Sequence, residues 1–124
     1  MPFSRNYCIL VVDDIADNLF LLQTFLEAEG FEVETADNGS QALSQISTKS
    51  PDLVLLDVML PDMSGYEVTR RIRQNYNLPS LPIVLVTAHE QAHSKLGFDA
   101  GANDFIRKPV DFEELLARIA IFLR

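Results

Sequence analysis

The feature that most limits what this chain can fold into is an alternation of five short β-type runs with five longer segments of helical pattern. These runs read as strands over Cys8 to Val12, Glu32 to Thr35, Leu53 to Leu56, Ile83 to Val86 and Asp104 to Ile106. Several are apolar at every position, the pattern of a parallel strand covered on both faces. Only Glu32-Val33-Glu34 alternates, which predicts an edge strand. Helices are expected over Asp17 to Glu29, Ser40 to Ser47, Tyr66 to Gln74, Gln91 to Ala100 and Phe112 to Leu123, punctuated by Gly30, Pro51, Pro79, Pro82, Gly101 and Pro109. Asp111 followed by Glu114 reads as a capped helix start. Parallel strands joined by right-handed helical crossovers give a doubly wound α/β sheet, whose ligands sit beyond the carboxyl ends of the strands.

With 124 residues the chain can bury one core but hardly two, so a single domain over 1–124 is expected. Its 48% hydrophobic and 23% charged residues are the balance of a soluble globular protein. No apolar run approaches the roughly 20 residues that cross a bilayer. The start, Met1-Pro2-Phe3-Ser4-Arg5, lacks an apolar signal core, which makes the cytoplasm the expected location and a membrane partner unexpected. A formal net charge of -8 opposes a nucleic-acid backbone, so no nucleic-acid contact is expected from this domain. The lone Cys8 reads as a small buried thiol without a chemical role.

Attention therefore falls on the residues that leave the strands. The first run ends on Asp13-Asp14, the third on Asp57, the fourth on Thr87 and the fifth on Lys108, whereas the second offers nothing comparable. Each has an ordinary explanation. Asp13 and Asp14 suit the start of a following helix, Asp57 can open a turn, Thr87 can cap a helix and Lys108 can be a solvated loop charge. Together they describe something more specific: three carboxylates, an ammonium and a hydroxyl at one sheet edge form a hard oxygen site suited to Mg2+ and a phosphoryl group.

These residues lie in the stretches Val11-Val12-Asp13-Asp14, Asp52-Leu53-Val54-Leu55-Leu56-Asp57-Val58-Met59-Leu60-Pro61-Asp62-Met63-Ser64-Gly65, Val86-Thr87-Ala88 and Gly101-Ala102-Asn103-Asp104-Phe105-Ile106-Arg107-Lys108-Pro109. Over essentially its whole length the chain resembles the receiver domains of two-component response regulators. The resemblance implies a flavodoxin-like, five-stranded parallel sheet of order 2-1-3-4-5. It implies Asp57 as phosphoacceptor, direct metal ligation by Asp14 and Asp57, a water-mediated hold by Asp13, and the backbone carbonyl of Met59 as a further ligand. The cofactor would be Mg2+, with Mn2+ as a substitute. A sensor histidine kinase or histidine phosphotransfer protein would be the donor, and a downstream effector or fused output domain the reader.

The resemblance also gives Thr87 and Phe105 the part of a switch. Thr87 donates its hydroxyl to a phosphoryl oxygen beside the small Ala88, and the aromatic ring turns behind it, moving the surface of the fourth helix, fifth strand and fifth helix. Plain core packing is the alternative for Phe105. The last helix can contribute to a phosphorylation-dependent homodimer. Gly65 and Pro109 suit tight backbone, Pro109 through a cis bond.

The first helix carries Leu19, Phe20, Leu21, Leu22, Phe25 and Leu26, more than one buried stripe needs. The surplus either docks a helix of the phosphoryl donor or widens the core face. His89 and His93 have a spacing that can hold zinc, but no third ligand is near in sequence, and a solvated face is expected for His93. In the family, the positions of His89 and Met59 tune water access to the phosphoryl group. A flavin-mononucleotide binder shares the fold, but the first loop, Asp13-Asp14-Ile15-Ala16-Asp17, is too acidic for a phosphate. An aspartate-nucleophile phosphatase needs a second acid two residues after the nucleophile, where this chain has Met59. A phosphorylation-independent interaction module would fit a chain lacking acceptor or lysine, and this one has both. The end at Ile121-Phe122-Leu123-Arg124, directly after the last predicted helix, suits a stand-alone regulator as well as a receiver within a longer protein.

Overall fold

A computed structural model describes residues 6–74, 78–88 and 94–123. In chain order the elements are β1 (Cys8–Val12), α1 (Ala16–Ala28), β2 (Glu32–Ala36), α2 (Gly39–Thr48), β3 (Leu53–Asp57), α3 (Gly65–Gln74), β4 (Ile83–Thr87), α4 (Ser94–Ala100), β5 (Asp104–Arg107) and α5 (Phe112–Phe122). The strands pair in parallel in the order β2-β1-β3-β4-β5. The acidic, alternating β2 is an edge strand as its sequence predicts, paired among the described residues with β1 alone.

Successive side chains of a strand point to opposite faces, so the all-apolar strands fill two cores at once. Leu10, Val12, Val54, Leu56, Ile83 and Leu85 meet Ala42, Leu43 and Ile46 of α2, Val68 and Ile72 of α3 and Ala100 of α4. The residues between them, Ile9, Val11, Leu53, Leu55 and Val84, join Ile106 and meet Leu22 and Leu26 of α1 and Leu115 and Ile119 of α5. Fully burying each Val, Leu or Ile side chain among these contributes on the order of 1.5–3 kcal/mol. Phe25 of α1 stacks on Phe112 of α5, centroids 4.3 Å apart.

Polar side chains close the amino-terminal edge of the sheet. Asp52 accepts from the Cys8 N–H at 2.8 Å, and Asn103 from the Ile83 N–H at 2.8 Å. Asp111 caps α5 by accepting from the N–H groups of Glu113 and Glu114. Strands β2 to β5 run one residue further than the sequence predicts, because the ladder continues through the pairs Val12 with Ala36, Asp57 with Val86, and Thr87 with Arg107. Asp57 and Thr87 are thus the last residues of their strands rather than the first of loops. His89, His93 and the expected start of the fourth helix at Gln91 lie outside the described residues.

Candidate functional site

The sheet reverses its strand order between β1 and β3, and the crevice beyond their carboxyl ends is where this architecture places ligands. Asp13 and Asp14 stand at one bank and Asp57 at the other. One carboxylate oxygen from each of the three lies within 4.8 Å of the others. Asp13 and Asp57 are 3% and 5% exposed, and Asp14 is exposed. Lys108 reaches across from the turn after β5, its Nζ 3.0 Å from Asp57 Oδ2 and 3.3 Å from Asp13 Oδ2. Its backbone N–H donates to the Thr87 carbonyl at 2.9 Å, and the following Lys108–Pro109 bond is cis, as the sequence expects.

Each buried carboxylate divides its oxygens between two tasks. Asp13 Oδ1 accepts from the Ile15 N–H at 3.0 Å, at the entry to α1, while Oδ2 takes Lys108 and the Asn18 side-chain amide at 3.2 Å. Asp57 Oδ1 accepts from the Met59 N–H at 3.1 Å, while Oδ2 takes Lys108. The ordinary reading of Asp57 as a turn opener therefore holds beside its place in the site, whereas Asp13 bonds the N–H of Ile15, just before α1, and the acid in the first turn of that helix is Asp17. Burial pushes the Asp57 carboxyl above its ordinary range, with the Lys108 hydrogen bond and the Met59 N–H pulling the other way. For Lys108 burial opposes the charge, but the hydrogen bond and charge of Asp57, together with Asp13, outweigh it and raise its pKa.

Three carboxylates facing one ammonium leave an excess of negative charge in a partly water-excluded crevice. That donor set fits a hard divalent cation. The loop 58–64 brings Met59 beside it, with an exposed side chain. Gly65 lets this loop turn back: its N–H donates to the Val58 carbonyl at 2.8 Å, and a Cβ there would lie 2.5 Å from the Asp57 carbonyl oxygen. Thr87 is buried at the end of β4. Phe105 is half-buried on β5, packed against the core of the α2, α3 and α4 face, its ring edge-on to Phe98 with centroids 5.2 Å apart.

Sequence reasoning passes over Asn18 and Asp62. Asn18 lies in the first turn of α1, where the helix brings it back over Asp13; five residues' spacing from an acid is its only signal. Asp62 binds the start of α2 across 22 or 23 residues of sequence, with no local pattern to mark it.

Fold and strand-end cluster together define a class: doubly wound α/β domains with an acidic site at the topological switch of the sheet. Comparison with known proteins takes this to a family. The profile of the response regulator receiver domain matches residues 9–120. Response regulator PleD of Caulobacter vibrioides is 42% identical over 117 residues, covering 94% of this chain and 26% of its own length. The alkaline phosphatase synthesis transcriptional regulatory protein PhoP of Bacillus subtilis is 42% identical over 120 residues, covering 96% of this chain and 49% of its own. The crystal structure of response regulator TrrA of Thermotoga maritima, in complex with Mg2+-BeF, superposes with a TM-score of 0.85 at 37% identity, covering 94% of this chain and 99% of that one. The chain belongs to the response regulator receiver family of two-component systems. It spans between a quarter and a half of the length of these two curated relatives.

Proposed function

We propose that this chain, as one receiver domain over 1–124, accepts a phosphoryl group on Asp57 from a histidine kinase or histidine phosphotransfer protein. The observation that carries the reading is the joint reach of Lys108 to Asp57 and Asp13, 3.0 and 3.3 Å, inside a cluster of three carboxylates. Asp14, Asp57 and the Met59 carbonyl would hold Mg2+ directly and Asp13 through water, and a relative in complex with Mg2+-BeF supports that choice of metal. Bound there, Mg2+ supplies charge neutralisation for the phosphoryl oxygens.

Asp57 is the nucleophile: its Oδ2 already faces the crevice, while Oδ1 is tied to the loop. Lys108 balances the charge that gathers on the phosphoryl oxygens and holds Asp57 ionised. Thr87, at the end of the neighbouring strand, donates its hydroxyl to the new group, and Phe105 follows it. The result is a population shift of the α4–β5–α5 face, read by an effector or output domain. Such a domain is a signalling element that assists its own phosphorylation and dephosphorylation rather than a turnover enzyme, and the reading carries a cytoplasmic location with it. Among the described residues no helix is long and apolar enough to cross a membrane.

Intact-mass analysis after incubation with acetyl phosphate tests this directly. A single phosphoryl adduct is expected that needs Mg2+ and is absent in Asp57→Asn. A folded native chain that takes up none would favour an interaction module independent of phosphorylation.

For the donor, α1 is the expected landing face. Leu22 and Leu26 are buried and Leu19 and Phe25 half-buried, but Phe20 is 71% and Leu21 55% exposed, with Ile15 at 51%. Beside them runs a groove of about 160 Å³ lined by Leu21, Leu22, Lys108, Pro109, Val110 and Phe112, next to the acceptor. Because Leu19 also serves the core, Phe20→Ser is the cleaner variant. It is expected to slow transfer from a phosphorylated histidine phosphotransfer protein by about tenfold or more, the scale of an aromatic anchor, with uptake from acetyl phosphate unchanged. Equal transfer by variant and native chains would count against docking there.

A further inference from the structure

Asp62 is an exposed acid in the middle of loop 58–64, three residues after Met59. Its two oxygens accept from the backbone N–H groups of Gly39 at 2.8 Å and Ser40 at 2.9 Å, the first residues of α2. N–H groups in a first helical turn have no intrahelical acceptor and carry the positive end of the helix dipole, so they suit a carboxylate. The bonds from Gly39 and Ser40 hold the Asp62 carboxyl below its usual range. The helix has its own cap, Asn38, whose side chain accepts from the Gln41 N–H at 2.8 Å. Asp62 therefore joins two separate segments rather than supplying a missing cap.

The contact is tight. A Cβ on Gly39 would stand 2.6 Å from Met63 Cγ and 2.9 Å from its sulfur, so the absence of a side chain there lets the loop close onto α2. Just before this helix, the Ala36 carbonyl accepts from the Asp13 N–H at 3.2 Å. Segment 36–40 thus touches both banks of the crevice: the β1 end through Asp13, and the β3 end through Asp62 and the loop that carries Met59. Mg2+ requires near-ideal octahedral coordination at short bonds and tolerates little error in ligand placement.

We propose that Asp62 is a positioning residue of the metal site, pinning loop 58–64 to the start of α2 so that the Met59 carbonyl stands at a fixed place opposite Asp13 and Asp57. This rests on the reading above that Mg2+ binds there with Met59 as a ligand. Asp62 itself touches neither metal nor phosphoryl group.

Calorimetric Mg2+ titration of the native chain, Asp62→Ala, Asp62→Asn, Asp37→Asn and Asn38→Ala, each paired with urea unfolding, tests the proposal. Asp62→Ala is expected to weaken Mg2+ about tenfold, the low end for groups that orient metal ligands. Asp62→Asn keeps one acceptor oxygen and should fall between native and Ala; it also serves should the Ala variant fail to fold. Asp37→Asn removes an equal charge from the same turn without touching the loop, and Asn38→Ala weakens the same helix start; both should bind Mg2+ within about twofold of native, the second with reduced stability. Native-like affinity in both Asp62 variants would overturn the proposal. So would an equal loss in Asn38→Ala, which would make helix stability the cause, or in Asp37→Asn, which would make it charge alone. A native chain that binds no Mg2+ would instead remove the reading on which the proposal stands.

Discussion

In a chain carrying Lys108→Ala, phosphoryl uptake from acetyl phosphate is expected to fall by about 100-fold, the scale for removing one preorganised charge partner of a transition state. Mg2+ binding should move the other way. The ammonium stands 3.0 and 3.3 Å from two of the carboxylates proposed to hold the cation, so its loss removes a like charge and frees their oxygens. Without metal, two buried carboxylates are left facing each other with no counter-charge. Removing one partner of a fully buried pair costs roughly 3–5 kcal/mol; Lys108 is 24% exposed, so about 2 kcal/mol is expected here, largely recovered when Mg2+ is added. Urea unfolding with and without Mg2+, beside the uptake rate, reads all three effects. A variant that binds metal more weakly and takes up phosphoryl groups at the native rate would contradict the part given to Lys108.

Asp57→Asn should abolish the adduct altogether and yet stabilise the metal-free fold. Burial raises the Asp57 pKa, so the folded chain holds its proton more tightly than the unfolded chain does. Below the ordinary carboxylate range, about pH 4, both states are protonated and the group adds nothing to the pH dependence. As pH rises from there through the raised folded value, the unfolded chain has lost the proton and the folded chain still binds it, so stability falls across that window. Above it both are ionised and the cost persists in full. The amide has no such titration. The unfolding free energy of Asp57→Asn is therefore expected to exceed that of the native chain by an amount that grows with pH through this window and shrinks when Mg2+ is present to hold the native carboxylate. A difference independent of pH would show that burial does not govern this group.

Much of this arrangement is legible in the sequence, for a definite reason. A parallel strand covered on both faces must be apolar at every position, so the first polar residue after each run, Asp13, Asp57 or Thr87, marks the sheet's carboxyl edge unaided. The same logic misses by one residue where the ladder outlasts the apolar run, as at Asp57 and Thr87. Contacts between residues far apart in the chain leave no periodic trace, which is why the clamp of Asp62 on Gly39 and Ser40 cannot be read from composition or spacing. In α1 a surplus of apolar residues can be counted, but which of them face water follows from how the helix is turned. That orientation leaves Phe20 outside and half-buries Leu19.

The crevice is furnished by four strand ends that the chain supplies at widely separated times: Lys108 follows Asp57 by 51 residues and Asp13 by 95. A nascent chain that has emerged as far as β4 already holds all three acids but not yet the Lys108 ammonium that pairs with two of them. The crevice is thus completed only by the last strand, whose following turn brings the Lys108 ammonium to two buried carboxylates laid down 51 and 95 residues earlier.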